Sequence, residues 1–282
     1  MYISKRKILD ATIPSTPLDR PVHIASLVRR IGAVLIALLL TVPPDAEAQL
    51  SSRSDPLRFI EYLRDDFTAA GPAFLTGSPL VVVGVSSAVV VTSRYDATLQ
   101  DRAERYGDVE LVRIVNEFGD VRTVRPFTVL VFAGSLMQPD ERVQDAAFTS
   151  LEAVIMSNIV TGALKALFGR ARPYQDEGAG SFEPFSGNTS FPSGHATTAF
   201  AFLAPWIMYY PGPLIYGAAG IAGGTALARL SLRFHWPSDV VAGAAIGSLT
   251  GIWLARRHLG HSGATRIRPV AGPGTVGLRV VW

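Results

Sequence analysis

Residues 192–209 read PSGHATTAFAFLAPWIMY, a helix start followed by a long apolar segment. A serine and a glycine stand immediately before an apolar run, which is a standard signal for the start of a helix. The apolar residues that follow have helical spacing, so residues 195–209 are predicted to form a helix. Similar apolar helical patterns occupy 146–168, 213–229 and 238–255. The core is therefore predicted to be an all-α helical bundle.

The N-terminal 48 residues have the layout of a secretory signal peptide. The basic pair Arg29-Arg30 precedes a 12-residue apolar run over 31–42, and Ala46-Glu47-Ala48 follows. Charge, a short apolar segment and small residues in that order predict cleavage after Ala48. An uncleaved membrane anchor is the alternative, although a membrane span needs about 20 residues.

Three further regions are predicted in the mature chain. Residues 49–125 form an N-terminal helical region, 126–260 form the helical core, and 261–282 form a C-terminal tail. Turn residues in the tail precede an alternating apolar pattern, which predicts a small β-hairpin at about 265–282. The alternating residues are Val276, Leu278, Val280 and Trp282.

Composition excludes several classes of protein. The chain has 282 residues, 48% of them hydrophobic, and it has no cysteine. It is therefore neither a disordered chain nor a disulfide scaffold. The net charge of +3 belongs mostly to residues 1–48, and the remainder carries 20 basic and 19 acidic residues. This balance indicates no nucleic-acid partner. It also leaves Lys165 as the single lysine of the mature chain.

Whether the bundle crosses a membrane is left open by the sequence. Several apolar runs are shorter than a span requires, and Glu152 would be costly in lipid. In favour of a membrane span, Arg256 and Arg257 after the last helix would suit a cytoplasmic end of that helix. We favour an extracytoplasmic, periplasmic protein that is soluble or peripheral. The alternative is an integral inner-membrane protein whose active site faces the periplasm.

Three stretches carry the residues of a candidate active site. In the first, Lys165 ends a helix and Arg172 follows it, which taken alone also suits complementation of the helix dipole. In the second, Ser193, Gly194 and His195 begin a helix, and its free backbone N–H groups favour phosphate; a plain capped helix is the simpler explanation.

The third stretch contains Arg229, His235 and Asp239. Asp239 is close enough along the chain to orient His235, and an oriented histidine can act as a nucleophile or base. An acidic first helical turn, which complements the helix dipole, is the alternative interpretation.

Together, the three stretches place cations, histidines, a helix N-terminus and one carboxylate at helix ends that face one loop region. Phosphoryl transfer needs this inventory, because it depends on positioning and on neutralising charge at the transferred phosphoryl group. Too few carboxylates converge for a metal, which the cations would repel. We therefore predict neither a metal nor a cofactor in this site.

The stretches resemble the signature of the type 2 phosphatidic acid phosphatase and vanadium-dependent haloperoxidase superfamily. The matching elements are Lys165-x6-Arg172-Pro173, Pro192-Ser193-Gly194-His195 and Ala228-Arg229-x5-His235-x3-Asp239. Ala228 replaces the serine of the family pattern, which removes a possible hydrogen bond but no catalytic group.

The resemblance implies a helical bundle of the type 2 phosphatidic acid phosphatase kind and assigns a role to each residue. His235 would attack phosphorus and form a phosphohistidine, Asp239 would orient it, and His195 would protonate the leaving oxygen and then activate water. The phosphate oxygens would be held by Lys165, Arg172, Ser193, Gly194 and Arg229.

The predicted function is a metal-independent phosphatase that acts on a phosphorylated small molecule or, more in keeping with the apolar flanks, a lipid phosphate or diphosphate. A vanadate-dependent haloperoxidase is one alternative, because the same pocket could hold vanadate. A non-enzymatic envelope protein with a degenerate site is the other.

Overall fold

The computed structural model describes residues 58–76, 78–118, 121–261, 266–272 and 275–281. The predicted signal peptide at 1–48 and its alternative, an uncleaved anchor, lie outside these residues.

The described residues form nine α-helices, a short 3₁₀ turn at Pro173–Gln175 and two strands, which confirms the all-α class for the core. The helices are α1 (Arg58–Thr76), α2 (Pro79–Ser93), α3 (Asp96–Glu104), α4 (Glu110–Phe118), α5 (Val121–Ser135), α6 (Glu141–Phe168), α7 (Gly194–Tyr209), α8 (Pro213–Ser231) and α9 (Pro237–His261).

Local chemistry explains where these helices begin. The Asp140 carboxylate accepts the backbone N–H of Arg142 at 2.8 Å, so α6 starts five residues before the predicted helix at 146–168. Prolines occupy the first helical position of α2, α8 and α9, where a missing N–H costs nothing. Helix α7 begins at Gly194, within one residue of the predicted start.

The centre of the bundle is formed by α6, α7 and α9. Trp206 and Tyr209 of α7 are buried against Ala255 of α9 and the paired alanines 146 and 147 of α6. Small residues let the helix backbones approach closely. At Gly247 of α9, an added Cβ would overlap the carbonyl oxygen of Thr197 in α7. This close packing fixes the N-terminus of α9 beside the N-terminus of α7.

The N-terminal helices are tied to the bundle by buried ion pairs. Arg58 of α1 donates to Asp145 of α6 at 3.0 Å, and both side chains are buried. Asp96, the first residue of α3, is paired with Arg170 beyond α6 at 2.6 Å. The predicted boundary between residues 125 and 126 falls inside α5.

After α9, the backbone forms strands β1 (Arg266–Gly272) and β2 (Thr275–Val281), which pair antiparallel with Arg266 opposite Val281. The side chains of these strands lie outside the described residues, so the alternation of the hairpin's side chains stays a prediction.

Two helices of the described chain are long and apolar enough to cross a membrane, namely α6 and the Pro237–Leu259 portion of α9. Helices α2 and α3, bent by 65° at their junction, would count as a third span if they act together. Glu152 would be costly if it faced lipid, but its side chain is buried inside the bundle. These features fit a membrane-associated protein.

Candidate active site

The site is built where α6 ends and where α7 and α9 begin. Gly169 closes α6 in the left-handed conformation (φ 52°), and its N–H donates to the Lys165 carbonyl at 2.9 Å. An added Cβ at Gly169 would overlap the carbonyl oxygen of Glu183, so glycine is needed for both its conformation and its size. The loop that follows crosses the helix ends before entering α7.

Two of the predicted phosphate-binding cations meet at one loop residue. The Lys165 ammonium donates to the Thr189 carbonyl, and Arg172 Nη2 donates to Thr189 Oγ1 at 3.1 Å. Lys165 also lies beside Gly194, since its Cε is 3.7 Å from the position of a Cβ there. The first and second stretches of the predicted site are therefore in contact.

Arg229 reaches the site from the last turn of α8. Its Nη1 donates to Asn116 Oδ1 at 2.9 Å, and its guanidinium lies 4.0 Å from the centre of the Phe234 ring. The side chain is buried, so its charge is only weakly screened by water. Asn116, which belongs to α4, is a contact that the sequence did not indicate.

Ser193 caps α7, because its Oγ accepts the Ala196 N–H at 3.4 Å. The Ser193 N–H is not free for a ligand, since it donates to the Asp239 carbonyl at 2.9 Å. That bond joins the start of α7 to the first turn of α9. Gly194 and His195, the next two residues, remain half-buried at the edge of the site.

His235 is almost completely buried, with 1% of its surface exposed. Its Nδ1 lies 2.8 Å from the Ser190 carbonyl oxygen. Since a carbonyl only accepts, Nδ1 carries the proton and Nε2 carries the lone pair. The ring centres of His235 and His195 are 6.3 Å apart, which brings together the two histidines that the sequence selected.

Burial lowers the pKa of His235 to about 3, and the positive charges of Lys165 and Arg172 add to the effect. Asp239 opposes this shift but does not outweigh it. The imidazole is therefore neutral at physiological pH, as a nucleophile must be.

Asp239 lies beside His235, as the spacing predicts, and its role in orienting the ring stays a prediction. Its Oδ2 lies 3.6 Å from His235 Nδ1, which is longer than a hydrogen bond. The same oxygen instead accepts the Ser190 hydroxyl at 2.5 Å and the Trp236 N–H at 2.9 Å. Asp239 therefore contacts Ser190 directly, and the Ser190 carbonyl is the nearer partner of His235 Nδ1.

Asp239 also belongs to a buried hydrogen-bond network whose other members the sequence did not indicate. Arg170 donates from Nη1 to Asp239 Oδ1 and from Nη2 to Asp96 Oδ2, each at 2.6 Å. Asp96 also accepts the N–H and the hydroxyl of Ser238 at 2.8 and 2.6 Å. Arg170 lies between Lys165 and Arg172, so its place in the first stretch is a sequence signal that it belongs near the site. Asp96 lies outside all three stretches, and nothing in the sequence singles it out.

The structure thus gathers all eight predicted site residues at one end of the bundle, at the junction of α6, α7, α8 and α9. Their catalytic and binding roles stay predictions. The eight are Lys165, Arg172, Ser193, Gly194, His195, Arg229, His235 and Asp239.

Comparison with known proteins places this constellation in a family. Residues 146–261 match the model of the PAP2 superfamily. Lipid A 1-phosphatase of Rhizobium etli is 36% identical over 169 residues, which cover 52% of this chain and 72% of that protein. Decaprenylphosphoryl-5-phosphoribose phosphatase of Mycobacterium tuberculosis is 28% identical over 177 residues, which cover 62% of this chain and 87% of that protein.

Among solved structures, that of Aquifex aeolicus LpxE aligns with a TM-score of 0.45 and 20% identity, over 57% of this chain and 94% of that one. Both relatives by sequence are named phosphatases, and the prediction of an enzyme of the phosphatase class is confirmed at the level of the family. The motif, the family match and the relative from Rhizobium etli agree, and the chain belongs to the PAP2 superfamily.

Proposed function

We propose that the protein is a metal-independent phosphatase that hydrolyses a lipid phosphate through a phosphohistidine on His235. The observation that carries this proposal is the state of the His235 ring. Its Nδ1 proton is engaged by the Ser190 carbonyl, which leaves the Nε2 lone pair free on a buried ring whose pKa is lowered by burial and by the charges of Lys165 and Arg172.

In the first step of the proposed reaction, Nε2 of His235 attacks phosphorus and the bond to the leaving oxygen breaks. His195 gives its proton to that oxygen as the alcohol or phosphate departs. Lys165, Arg172 and Arg229 neutralise the charge on the three equatorial oxygens. In the second step, His195 takes a proton from water, the hydroxide attacks phosphorus, and the N–P bond breaks to release inorganic phosphate.

A lipid substrate is supported by two observations. Both relatives named above have lipid-linked phosphates in their names. In addition, α6 ends at the site and exposes Ile155 and Ile159 along its outer face. An acyl or prenyl chain would lie along such a surface while the phosphate enters between the helix ends. We propose that the site faces the periplasm, as the predicted signal peptide suggests.

A phosphate-release panel tests substrate class and metal independence together. The substrates are lipid A 1-phosphate, phosphatidate, phosphatidylglycerophosphate, undecaprenyl diphosphate and p-nitrophenyl phosphate, each assayed with EDTA and with vanadate as inhibitor. We expect release from at least one lipid, persistence in EDTA and inhibition by vanadate. Loss of release in EDTA while the melting temperature is unchanged would contradict metal independence. Bromide oxidation with vanadate and peroxide would indicate a haloperoxidase instead.

Substitution of the two histidines tests the phosphohistidine. We expect His235→Ala to abolish turnover. No labelled phosphoenzyme should be recovered from this variant when a reaction with labelled substrate is quenched by an acid-free denaturant. His195→Ala should lower kcat by about 10²–10⁴-fold, because general acid–base catalysis contributes that much. With p-nitrophenyl phosphate, whose leaving group needs no proton, His195→Ala should accumulate phosphoenzyme. His261→Ala, outside the predicted site, is the matched control. A folded His235→Ala protein with normal turnover would refute the assignment.

A further inference from the structure

A second cluster of ionisable side chains lies far from the phosphoryl site. Asp66 of α1, Glu152 of α6 and His258 of α9 each offer one ligand atom, these atoms lie within 4.8 Å of one another, and all three residues are buried. His258 is 19 positions beyond Asp239 on α9, a separation of about 28 Å at 1.5 Å per residue. The cluster is therefore distinct from the candidate active site.

The hydrogen bonds around His258 determine which ring nitrogen faces the cluster. Thr149 Oγ1 donates to the Asp145 carbonyl at 2.6 Å, which uses its only proton. The same oxygen lies 2.7 Å from His258 Nδ1, so Nδ1 must carry a proton and donate it to Thr149. His258 Nε2 therefore points toward Asp66 Oδ2 at 2.6 Å and Glu152 Oε2 at 3.8 Å.

Nε2 and Asp66 Oδ2 can lie 2.6 Å apart only if a proton or a metal ion lies between them. A neutral imidazole whose proton is on Nδ1 presents a lone pair, which repels the carboxylate lone pairs. Either additional protons or a metal ion must relieve this repulsion. A histidine that ligates through one nitrogen and donates from the other is the usual arrangement at protein metal sites.

Glu152 provides an independent indication of a ligand. Its side chain is 1% exposed, and neither carboxylate oxygen has a hydrogen-bond partner among the described residues. A carboxylate that is buried without a partner is costly in its ionised form, so such groups are normally protonated, paired or bound to a metal. One of its oxygen atoms lies within 4.8 Å of the ligand atoms of Asp66 and His258.

Asp66 is also arranged as a metal ligand would be. Arg257 Nε donates to Asp66 Oδ1 at 2.5 Å and leaves Oδ2 directed at the cluster. Tyr62 stacks on the His258 ring at 4.4 Å between ring centres and fixes its plane. The surrounding side chains thus orient two of the three donors.

We propose that Asp66, Glu152 and His258 bind a divalent transition-metal ion such as Zn²⁺, which joins α1, α6 and α9 inside the bundle. One imidazole nitrogen and two carboxylate oxygens are ligands that Zn²⁺ accepts, with a water in the fourth position. Ligands of a tetrahedral zinc ion lie about 3.3 Å apart, given bonds of about 2.0–2.1 Å. The present separations of 2.6 and 3.8 Å fall on either side of that value.

Metal content tests the proposal independently of phosphatase activity. The full-length protein in detergent is stripped with EDTA, loaded with zinc sulfate, desalted and analysed by mass spectrometry of the metal. We expect about one zinc per chain and a raised melting temperature. Glu152→Gln should lose the stoichiometric zinc, whereas Glu141→Gln, exposed on the same helix, and His235→Ala should retain it. Thr149→Val should weaken zinc binding by about 10–100-fold, because it removes the acceptor that orients His258.

Two results would overturn the proposal. Wild-type protein that retains no zinc would mean that extra protons neutralise the cluster instead. Zinc that disappears in His235→Ala but persists in Glu152→Gln would place the ion in the phosphoryl site. If Glu152→Gln does not fold, Co²⁺-loaded wild-type protein still decides the question, because we expect a visible absorption band that Zn²⁺ abolishes. Phosphate release that stops with zinc bound would count against the proposed function, not against this site.

Discussion

The orientation of the His235 ring is set by the groups that surround it. Its Nδ1 is 2.8 Å from the Ser190 carbonyl oxygen and 3.6 Å from the Asp239 carboxylate, so the hydrogen bond goes to the backbone carbonyl and the carboxylate lies just beyond it. The spacing His-x3-Asp correctly indicated that the two residues would be neighbours. It did not reveal Ser190, which is 45 positions away along the chain. The contact with Ser190 is visible only in the folded structure.

The lowered pKa of His235 predicts how stability depends on pH. The folded state keeps the ring neutral down to about pH 3, whereas the unfolded chain binds a proton near pH 6.5. The contribution of this residue is therefore complete above pH 6.5 and is lost as the pH falls toward 3. The slope approaches about 1.4 kcal/mol per pH unit.

We expect the melting temperature of the wild type to fall between pH 6.5 and 4 more steeply than that of His235→Asn, whose amide can still donate to the Ser190 carbonyl. Thermal unfolding over this pH range measures the difference. Parallel curves for the two proteins would show that His235 is not buried in its neutral form.

At the scale of elements, the start of α9 depends on an ion-pair network that begins in α3. Asp96→Asn leaves Arg170 with one carboxylate partner instead of two. Removing one partner of a buried ion pair typically costs about 3–5 kcal/mol. We expect a lower melting temperature and a lower kcat, because Asp239 and Ser238 lose their support. Asp101→Asn, an exposed carboxylate on the same helix, should change neither.

A structural role alone would lower the stability of Asp96→Asn without affecting kcat at temperatures where the variant is folded. Steady-state kinetics at low temperature therefore separates the two effects. An unchanged kcat there would limit Asp96 to stabilising the fold.

The contact between α7 and α9 depends on glycines. Gly247→Ala forces a methyl group against the Thr197 carbonyl and the Ala201 amide, so the two helices must move apart. Overpacking of this kind typically costs about 1–3 kcal/mol. Gly220→Ala in α8 meets no atom within 4 Å and should be neutral or stabilising, because alanine is the better helix former. Chemical or thermal unfolding of the two variants measures the contrast, and equal stabilities would contradict the packing described here.

Considered as a whole, the molecule has polar groups inside and apolar groups outside along α6. Glu152 is buried, while Ile155 and Ile159 on the same helix are 43% and 59% exposed. In α2, no residue is buried and none is charged. This distribution is the reverse of a water-facing helix, and it fits a membrane-associated protein.

We expect the protein to remain in the membrane fraction after carbonate washing. The double substitution Ile155→Lys and Ile159→Lys should reduce that retention, since a lysine at the centre of a bilayer costs about 2.5–3.5 kcal/mol. Tyr106→Lys, in an exposed and charged segment, is the control. Release of the wild type by carbonate would indicate a soluble or peripheral protein.

The helical class, the bounds of α7 to within one residue, and the residues that meet at the candidate site could all be predicted from the sequence. These features depend on periodicity, helix caps and short spacings, which are properties of neighbouring residues. The ion-pair network that supports the site and the second cluster of ionisable side chains became visible only in the folded structure. Asp96 and Arg170 are 74 positions apart, and Asp66 and His258 are 192 apart. No local pattern encodes such pairs, because they form only when packing of small residues brings distant helices together and excludes water from the charges between them.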